Sequence, residues 1–198
     1  MTLSLIQAKA ELDGGRVVAV GTDTVYGLAA QLLQATAIEI IYELKGRPDA
    51  MALPILVSDI EQARELGLEI PERAMNLSLM WPGALTMVLP APQELALRVH
   101  GTTSVAIRIP DHEELLALLS LSGPLAVTSA NPHGQPAAAT VAMAEAYFGA
   151  NEKFAGVYGE QSGSGSASTI VDLTSPEWKI IREGGLSRSI IEALLFEG

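Results

Sequence analysis

The feature that most constrains this chain is an alternation of two periods. Short runs rich in Val, Ile and Leu, at residues 17–20, 53–57, 85–89, 105–109, 125–128, 169–173 and 179–181, read as buried strands. Between them lie segments with helical spacing, at 35–44, 60–66, 72–79, 113–120, 140–148 and 187–195. Leu3, Ile6 and Ala10 add helical spacing at the start of the chain. Asp111 stands where it can cap the helix that follows it, and Ser187 where it can cap the last. This alternation predicts an α/β fold, a largely buried mixed sheet with flanking helices. The order of the strands is not encoded in the pattern.

A length of 198 residues is enough for one good hydrophobic core, and a single domain over 1–198 is expected. At 48% hydrophobic and 18% charged the chain is globular, not disordered. The absence of cysteine excludes disulfides, thiolate zinc sites and cysteine nucleophiles. The first residues lack a basic stretch followed by an apolar run, and nothing approaches the ~18 apolar residues of a membrane span. A cytoplasmic protein with no membrane partner is expected. Twelve Lys and Arg against 23 Asp and Glu give a formal charge of −11. That excess argues against a general nucleic-acid surface, and it makes the placement of the few cations informative.

The distinctive polar residues cluster at strand ends, where α/β sheets hold their ligands. GTDTVYGLAA, residues 21–30, follows the first strand and offers Thr22, Asp23 and Thr24. Gly27 suits a backbone turn there, and a polar turn alone would also account for the segment. KGRP, residues 45–48, ends a helix with Lys45 and Arg47. These cations serve either the helix dipole or a phosphate. Arg108 interrupts an apolar strand, so it must face solvent or an anion. Thr128, Ser129 and Asn131 close another strand with groups that can grip a carboxylate, a ribose or phosphate oxygens, or simply form an Asx turn. A Gly/Ser segment, residues 159–168, leads to Ser168, and Arg182 ends a strand before two glycines as Arg108 ends its own.

Several chemistries lack their signatures. There is no G-x-x-x-x-G-K-[ST] phosphate loop and no G-x-S-x-G around Ser129. His100, His112 and His133 show no ligand spacing, so no protein metal site is expected. Trp81-Pro82-Gly83 reads as a packed turn.

Taken in order, GTDTVYGLAA, KGRP, LPILV, WPGALTMVL, VAIRIP, LAVTSAN, STIVDLT and IIREG resemble the YrdC/Sua5/TsaC family of threonylcarbamoyl-AMP synthases over nearly the whole chain. The resemblance implies a twisted α/β fold with a concave ligand cavity. It implies a nucleotidyltransferase that condenses L-threonine, bicarbonate or CO2 and ATP, with Mg2+, into threonylcarbamoyl-adenylate and pyrophosphate. The product serves N6-threonylcarbamoyladenosine formation in tRNA, and partner proteins carry out the transfer. By motif match Lys45 and Arg47 carry the chemistry on ATP. Ser104, Ser129, Asn131 and Arg182 join them in holding ATP. Thr24, Arg108 and Ser168 hold L-threonine. Closure of the Gly/Ser segment would shield the adenylate from water.

The match has departures. Leu56 stands near a position where some relatives carry a histidine. The length suits the short form without a second domain. A charge of −11 argues against tight direct tRNA binding. The alternatives are a YciO-like paralogue, an RNA-binding module of the same fold, and a carbamoyl-transfer module of the kind found inside longer proteins.

Overall fold

The computed structural model describes residues 1–46, 52–160 and 166–196. The expected strands are present as β2 (Val17–Val20), β4 (Ile55–Leu56), β5 (Leu85–Pro90), β6 (Ser104–Arg108), β7 (Leu125–Ser129), β9 (Thr169–Asp172) and β10 (Lys179–Arg182). Three more were not expected: β1 (Thr2–Leu3), β3 (Gly27–Gln31) and β8 (Phe154–Tyr158). The β3 sequence, GLAAQ, has no β-branched residue, and its strand is made by pairing with β2 and β7 on either side. In β8, Gly156 at φ 140° interrupts the apolar signal. A side chain there would meet the Met1 carbonyl at 2.4 Å, so glycine is what lets β1 lie alongside.

Helices α1 (Leu5–Asp13), α2 (Ala35–Lys45), α3 (Ile60–Glu65), α4 (Glu72–Leu77), α6 (Glu113–Ser122), α7 (Val141–Phe148) and α8 (Arg188–Phe196) follow the expected pattern, and α5 (Gln93–Arg98) is additional. Three local expectations are corrected. The 72–79 segment changes to a 3-10 turn at Ser78–Met80. In α1 the buried residues are Ala8 and Leu12, while Ile6 is exposed. Asp111 does not cap α6; His112 does, its Nδ1 accepting the Leu115 amide at 3.2 Å. That nitrogen lies one residue closer to the first turn and meets the amide three positions on. No described helix is long and apolar enough to cross a membrane.

The described strands form one mixed sheet in the order β1-β8-β2-β3-β7-β4-β6-β5-β9-β10. One face is covered along its length. Val17, Ala19, Ile55, Leu85, Met87, Leu89, Val105 and Ile107 meet Ile38 and Ile41 of α2, Leu77 of α4 and Ile191 of α8. The opposite face is covered only in part. Val18, Val20, Ala29, Leu125 and Val127 pack on Ala8 and Leu12 of α1 and on Leu115, Leu118 and Leu119 of α6. This second core contains no residue of β5, β6, β9 or β10. The bare half of that face is the floor of the site.

Candidate active site

A cavity of about 510 Å³ opens over the bare half, a size suited to a small molecule or nucleotide. The sheet register decides what its floor carries. Met87 pairs with Ile107, and the next pair outward sets Thr86 opposite Arg108. Thr86 pairs in turn with Ile170, and Ile170 with Arg182. Arg108, Thr86, Ile170 and Arg182 therefore form a row across four adjacent strands, roughly 14 Å from end to end. A register irregularity between Ile180 and Arg182 brings both Ile181 and Arg182 to the cavity wall.

Arg108 faces an anion, the second of the two environments its strand position allowed. It is buried, with Nη2 donating to Asp23 Oδ1 at 2.6 Å, Nη1 to Thr24 Oγ1 at 3.1 Å and Nε to the Gly83 carbonyl at 3.0 Å. Burial lowers its pKa; Asp23 opposes that shift, and the Arg182 charge adds to it. Three anchors fix the guanidinium plane while donors at both Nη atoms remain for a ligand.

The Thr22–Thr24 segment serves two purposes at once. Thr22 Oγ1 accepts the Thr24 amide at 2.9 Å and donates to the Val25 carbonyl at 2.7 Å, as a polar turn requires. Thr24, also buried, meets Arg108 and lines the cavity. The expectation that Gly27 serves a turn is corrected. Gly27 opens β3, and a Cβ there would meet Val127 Cγ1 at 2.6 Å. Close strand packing is what requires glycine.

At the other end of the row, Arg182 Nε and Nη2 donate to the Ser168 carbonyl at 3.1 and 2.9 Å, and Nη2 reaches Ser168 Oγ at 3.2 Å. Ser168 Oγ lies 2.8 Å from Thr86 Oγ1, and both hydroxyls are buried. Burial lowers the Arg182 pKa as well. The glycines after Arg182 have a steric purpose: a Cβ on Gly184 would meet the Ala167 carbonyl at 2.1 Å. Gly185 N–H donates to that same carbonyl at 3.1 Å, fastening β10 to the segment that carries Ser168.

Lys45 ends α2 with its ammonium buried at the cavity edge. Nζ donates to the carbonyls of Ser129 and Asn131, the latter at 2.8 Å, and to Asn131 Oδ1 at 3.2 Å. Ser129 Oγ donates to Asn131 Oδ1 at 2.6 Å, and Asn131 Nδ2 holds the Gln135 carbonyl at 2.7 Å. A single cation thus shapes the whole Ser129–Asn131 strand end. The His133 amide donates to the Lys45 carbonyl at 2.7 Å, and His133 lines the cavity.

Of the residues singled out from the sequence, Thr24, Lys45, Arg108, Ser129, Asn131, Ser168 and Arg182 line this one cavity. Ser104 does not. It lies on the same face of β6, two residues beyond Ala106 and outside the cavity lining. Arg47 and residues 161–165 of the Gly/Ser segment lie outside the described residues. Thr86 and His133 were not singled out. A lone threonine between Leu85 and Met87 is the only signal that Thr86 offered.

Comparison with known proteins identifies the family. The family model Sua5/YciO/YrdC, described as "Telomere recombination", matches residues 10–184. The threonylcarbamoyl-AMP synthase of Bacillus subtilis (strain 168) is 40% identical over 196 residues, 96% of this chain and 56% of the relative. The crystal structure of P. abyssi Sua5 complexed with L-threonine superposes with a TM-score of 0.90 at 34% identity, covering 100% of this chain and 60% of that one. E. coli YciO shares the fold, with a TM-score of 0.79 at 20% identity over 92% of this chain and 90% of its own. The chain therefore spans little more than half of the Bacillus relative and about 60% of the P. abyssi protein. The family model over residues 10–184, together with the relatives in sequence and in sheet, shows that the chain belongs to the Sua5/YciO/YrdC family.

Proposed function

We propose that the chain is a threonylcarbamoyl-AMP synthase, a nucleotidyltransferase that condenses L-threonine, bicarbonate and ATP. One observation carries the reading. Two guanidinium groups stand at opposite ends of one row in a cavity whose described lining contains no carboxylate. Such a site favours a ligand set that is anionic at both ends.

The carboxylate of threonine pairs with Arg108, held in place by Asp23, Thr24 and Gly83. Its amine, as the free base, attacks bicarbonate; a C–N bond forms and water leaves, giving a carbamate. A carbamate oxygen then attacks the α-phosphorus, and the bond to the β-phosphate oxygen breaks to release pyrophosphate. Both reactants are anions, so the step needs fixed cations near the transferring phosphoryl group. Arg182 supplies one. Lys45 supplies a second and holds Ser129 and Asn131 in place to meet ATP. Arg47 is assigned the same phosphate by its motif. Val88, Ala106 and Ile170 offer an apolar floor for the base, and Ser104 is assigned to ATP by its motif.

Magnesium is expected with ATP. The described lining includes no Asp or Glu, and Asp23 is engaged by Arg108, so these residues make no magnesium site of their own. The product is a mixed anhydride, and its consumer is a transfer to the amine of adenosine in tRNA by partner proteins. The whole chain, 1–198, is read as one functional domain.

Pyrophosphate release from ATP tests the assignment. It should require both L-threonine and bicarbonate, and it should fall by at least about a hundredfold in Lys45→Ala, the scale on which preorganised charge contributes. Release indifferent to threonine would move the assignment to a YciO-like paralogue or a carbamoyl-transfer module. No release, with tRNA bound in a salt-dependent way, would make it a binding module.

A further inference from the structure

A second concavity lies apart from the site, and the synthase reading gives it no work. It is a groove of about 370 Å³ between the start of α3 and the turn that leads into β5, and it shares no lining residue with the cavity. Ile109 is buried in it, and Ile60, Trp81 and Pro82 line it with surface still open to solvent. The indole N–H of Trp81 already donates to the Leu85 carbonyl at 2.7 Å, so the ring offers the groove only apolar surface. The wall is fixed from behind. Gly83 N–H donates to the Ile109 carbonyl at 2.9 Å, and the Gly83 carbonyl accepts Arg108 Nε at 3.0 Å. A Cβ on Gly83 would meet the Met80 carbonyl at 2.5 Å, so glycine keeps the turn this tight. Leu79, next to the lining Ser78, is 72% exposed and adds apolar surface there.

The charge of the groove is opposite to that of the cavity. Its described lining holds two carboxylates, Asp59 and Glu61, and no Lys, Arg or His. The cavity holds Lys45, Arg108 and Arg182 and, among its described lining, no carboxylate. Asp59 accepts the Gln62 amide and the Ser58 hydroxyl, each at 2.8 Å; these bonds hold its pKa below 3.8, so it is ionised at neutral pH. Glu61 pairs with Arg64 on the same helix and stays 73% exposed. An apolar groove edged by carboxylates selects an apolar side chain flanked by cations. A second copy of this chain is a poor occupant, because each copy carries −11 and like charge opposes the encounter.

We propose that this groove docks a basic segment of a partner protein, with one large apolar side chain against Ile60, Trp81 and Ile109 and a Lys or Arg beside Asp59 and Glu61. The inference stands apart from the synthase reading, since the groove uses no residue of the cavity lining. The apolar anchor supplies the affinity, and the carboxylates supply steering and the choice of partner.

Calorimetric titration of the full chain with short synthetic peptides tests the docking. Each peptide has blocked ends and a central Leu, Phe or Trp with two Lys on either side. At least one should bind saturably, one to one. Replacing its central residue with Ala should weaken binding about tenfold, the loss of one buried apolar side chain, and replacing its Lys with Glu should abolish binding. Ile60→Ala and Glu61→Lys in the protein should each weaken binding by about fivefold and leave pyrophosphate release at the wild-type rate, which shows the variants folded. Binding by none of the peptides, equal binding of the Lys and Glu peptides, or binding that neither variant weakens would overturn the inference. Self-association of the wild-type chain in sedimentation, abolished by Ile60→Ala, would give the groove to a second copy and overturn it as well.

Discussion

The second face of the sheet has two halves built from the same strand chemistry and put to opposite uses. Over β2, β3 and β7, Val18, Val20, Ala29, Leu125 and Val127 are sealed beneath α1 and α6. Over β5, β6, β9 and β10, the corresponding positions are Thr86, Val88, Ala106, Arg108, Ile170 and Arg182, and no helix of that core reaches them. On the covered half every side chain is chosen for apolar contact. On the bare half the small apolar residues make a floor and the polar ones stand in a row along it. A sheet buried on both faces is stable and has no place for a ligand. Leaving half of one face open supplies that place, and the large core on the other face holds the strands in register beneath it.

The comparison can be broken at several points. The largest effect is expected from Arg108→Ala. It removes one partner of a buried ion pair and leaves Asp23 uncompensated, so stability should fall by about 4 kcal/mol. Threonine-dependent pyrophosphate release should disappear with it. Chemical denaturation and the release assay check the two parts. Full activity in this variant would mean that the bare half is not the site. Leu118→Ala strikes the covered half instead. Leu118 is fully buried in the α6 core, and the cavity left behind should cost about 3 kcal/mol. The KM values for threonine and ATP should stay at wild-type levels under conditions where the variant is folded. A selective rise in either would show that the two halves are coupled.

The smallest effect lies away from both halves, at Asp59, the cap of α3. The amide of Gln62, first of all, and the hydroxyl of Ser58 hold its pKa below the usual 3.8. A carboxylate with a lowered folded pKa adds stability that is complete above 3.8 and is lost as the pH falls through the folded value. Wild type should therefore be slightly more stable than Asp59→Asn at neutral pH, and their melting temperatures should converge in acid below 3.8. A constant difference down to the acid limit would mean that the cap does not depend on the charge.

The alternation of strand and helix was legible wherever a strand is made of Val, Ile and Leu. It was not legible in β3 and β8. Each of those strands carries a glycine where a Cβ would strike a neighbour, Val127 Cγ1 at Gly27 and the Met1 carbonyl at Gly156, and those neighbours are remote in sequence. The site was legible in pieces. A buried arginine at the end of an apolar strand needs an anion, and Asp23 answers that need. The role of Lys45 was legible only as charge, since the carbonyls it gathers belong to residues 129 and 131. Thr86 offered only its place between Leu85 and Met87, because a threonine inside a strand is common and its importance depends on the strand beside it.

By itself, the sequence determined which chemistry was available: cations at strand ends, hydroxyls beside them, no thiol, and a run of motifs that belongs to one family. Those are local properties, set by the order of residues along the backbone. The tertiary structure alone decided that residues 108, 86, 170 and 182 stand in one row and that no helix of the second core, among the described residues, covers them. Strand order is settled by long-range pairing and by which helices find an apolar face to cover. No local pattern records either, so the cavity exists only once the chain has folded.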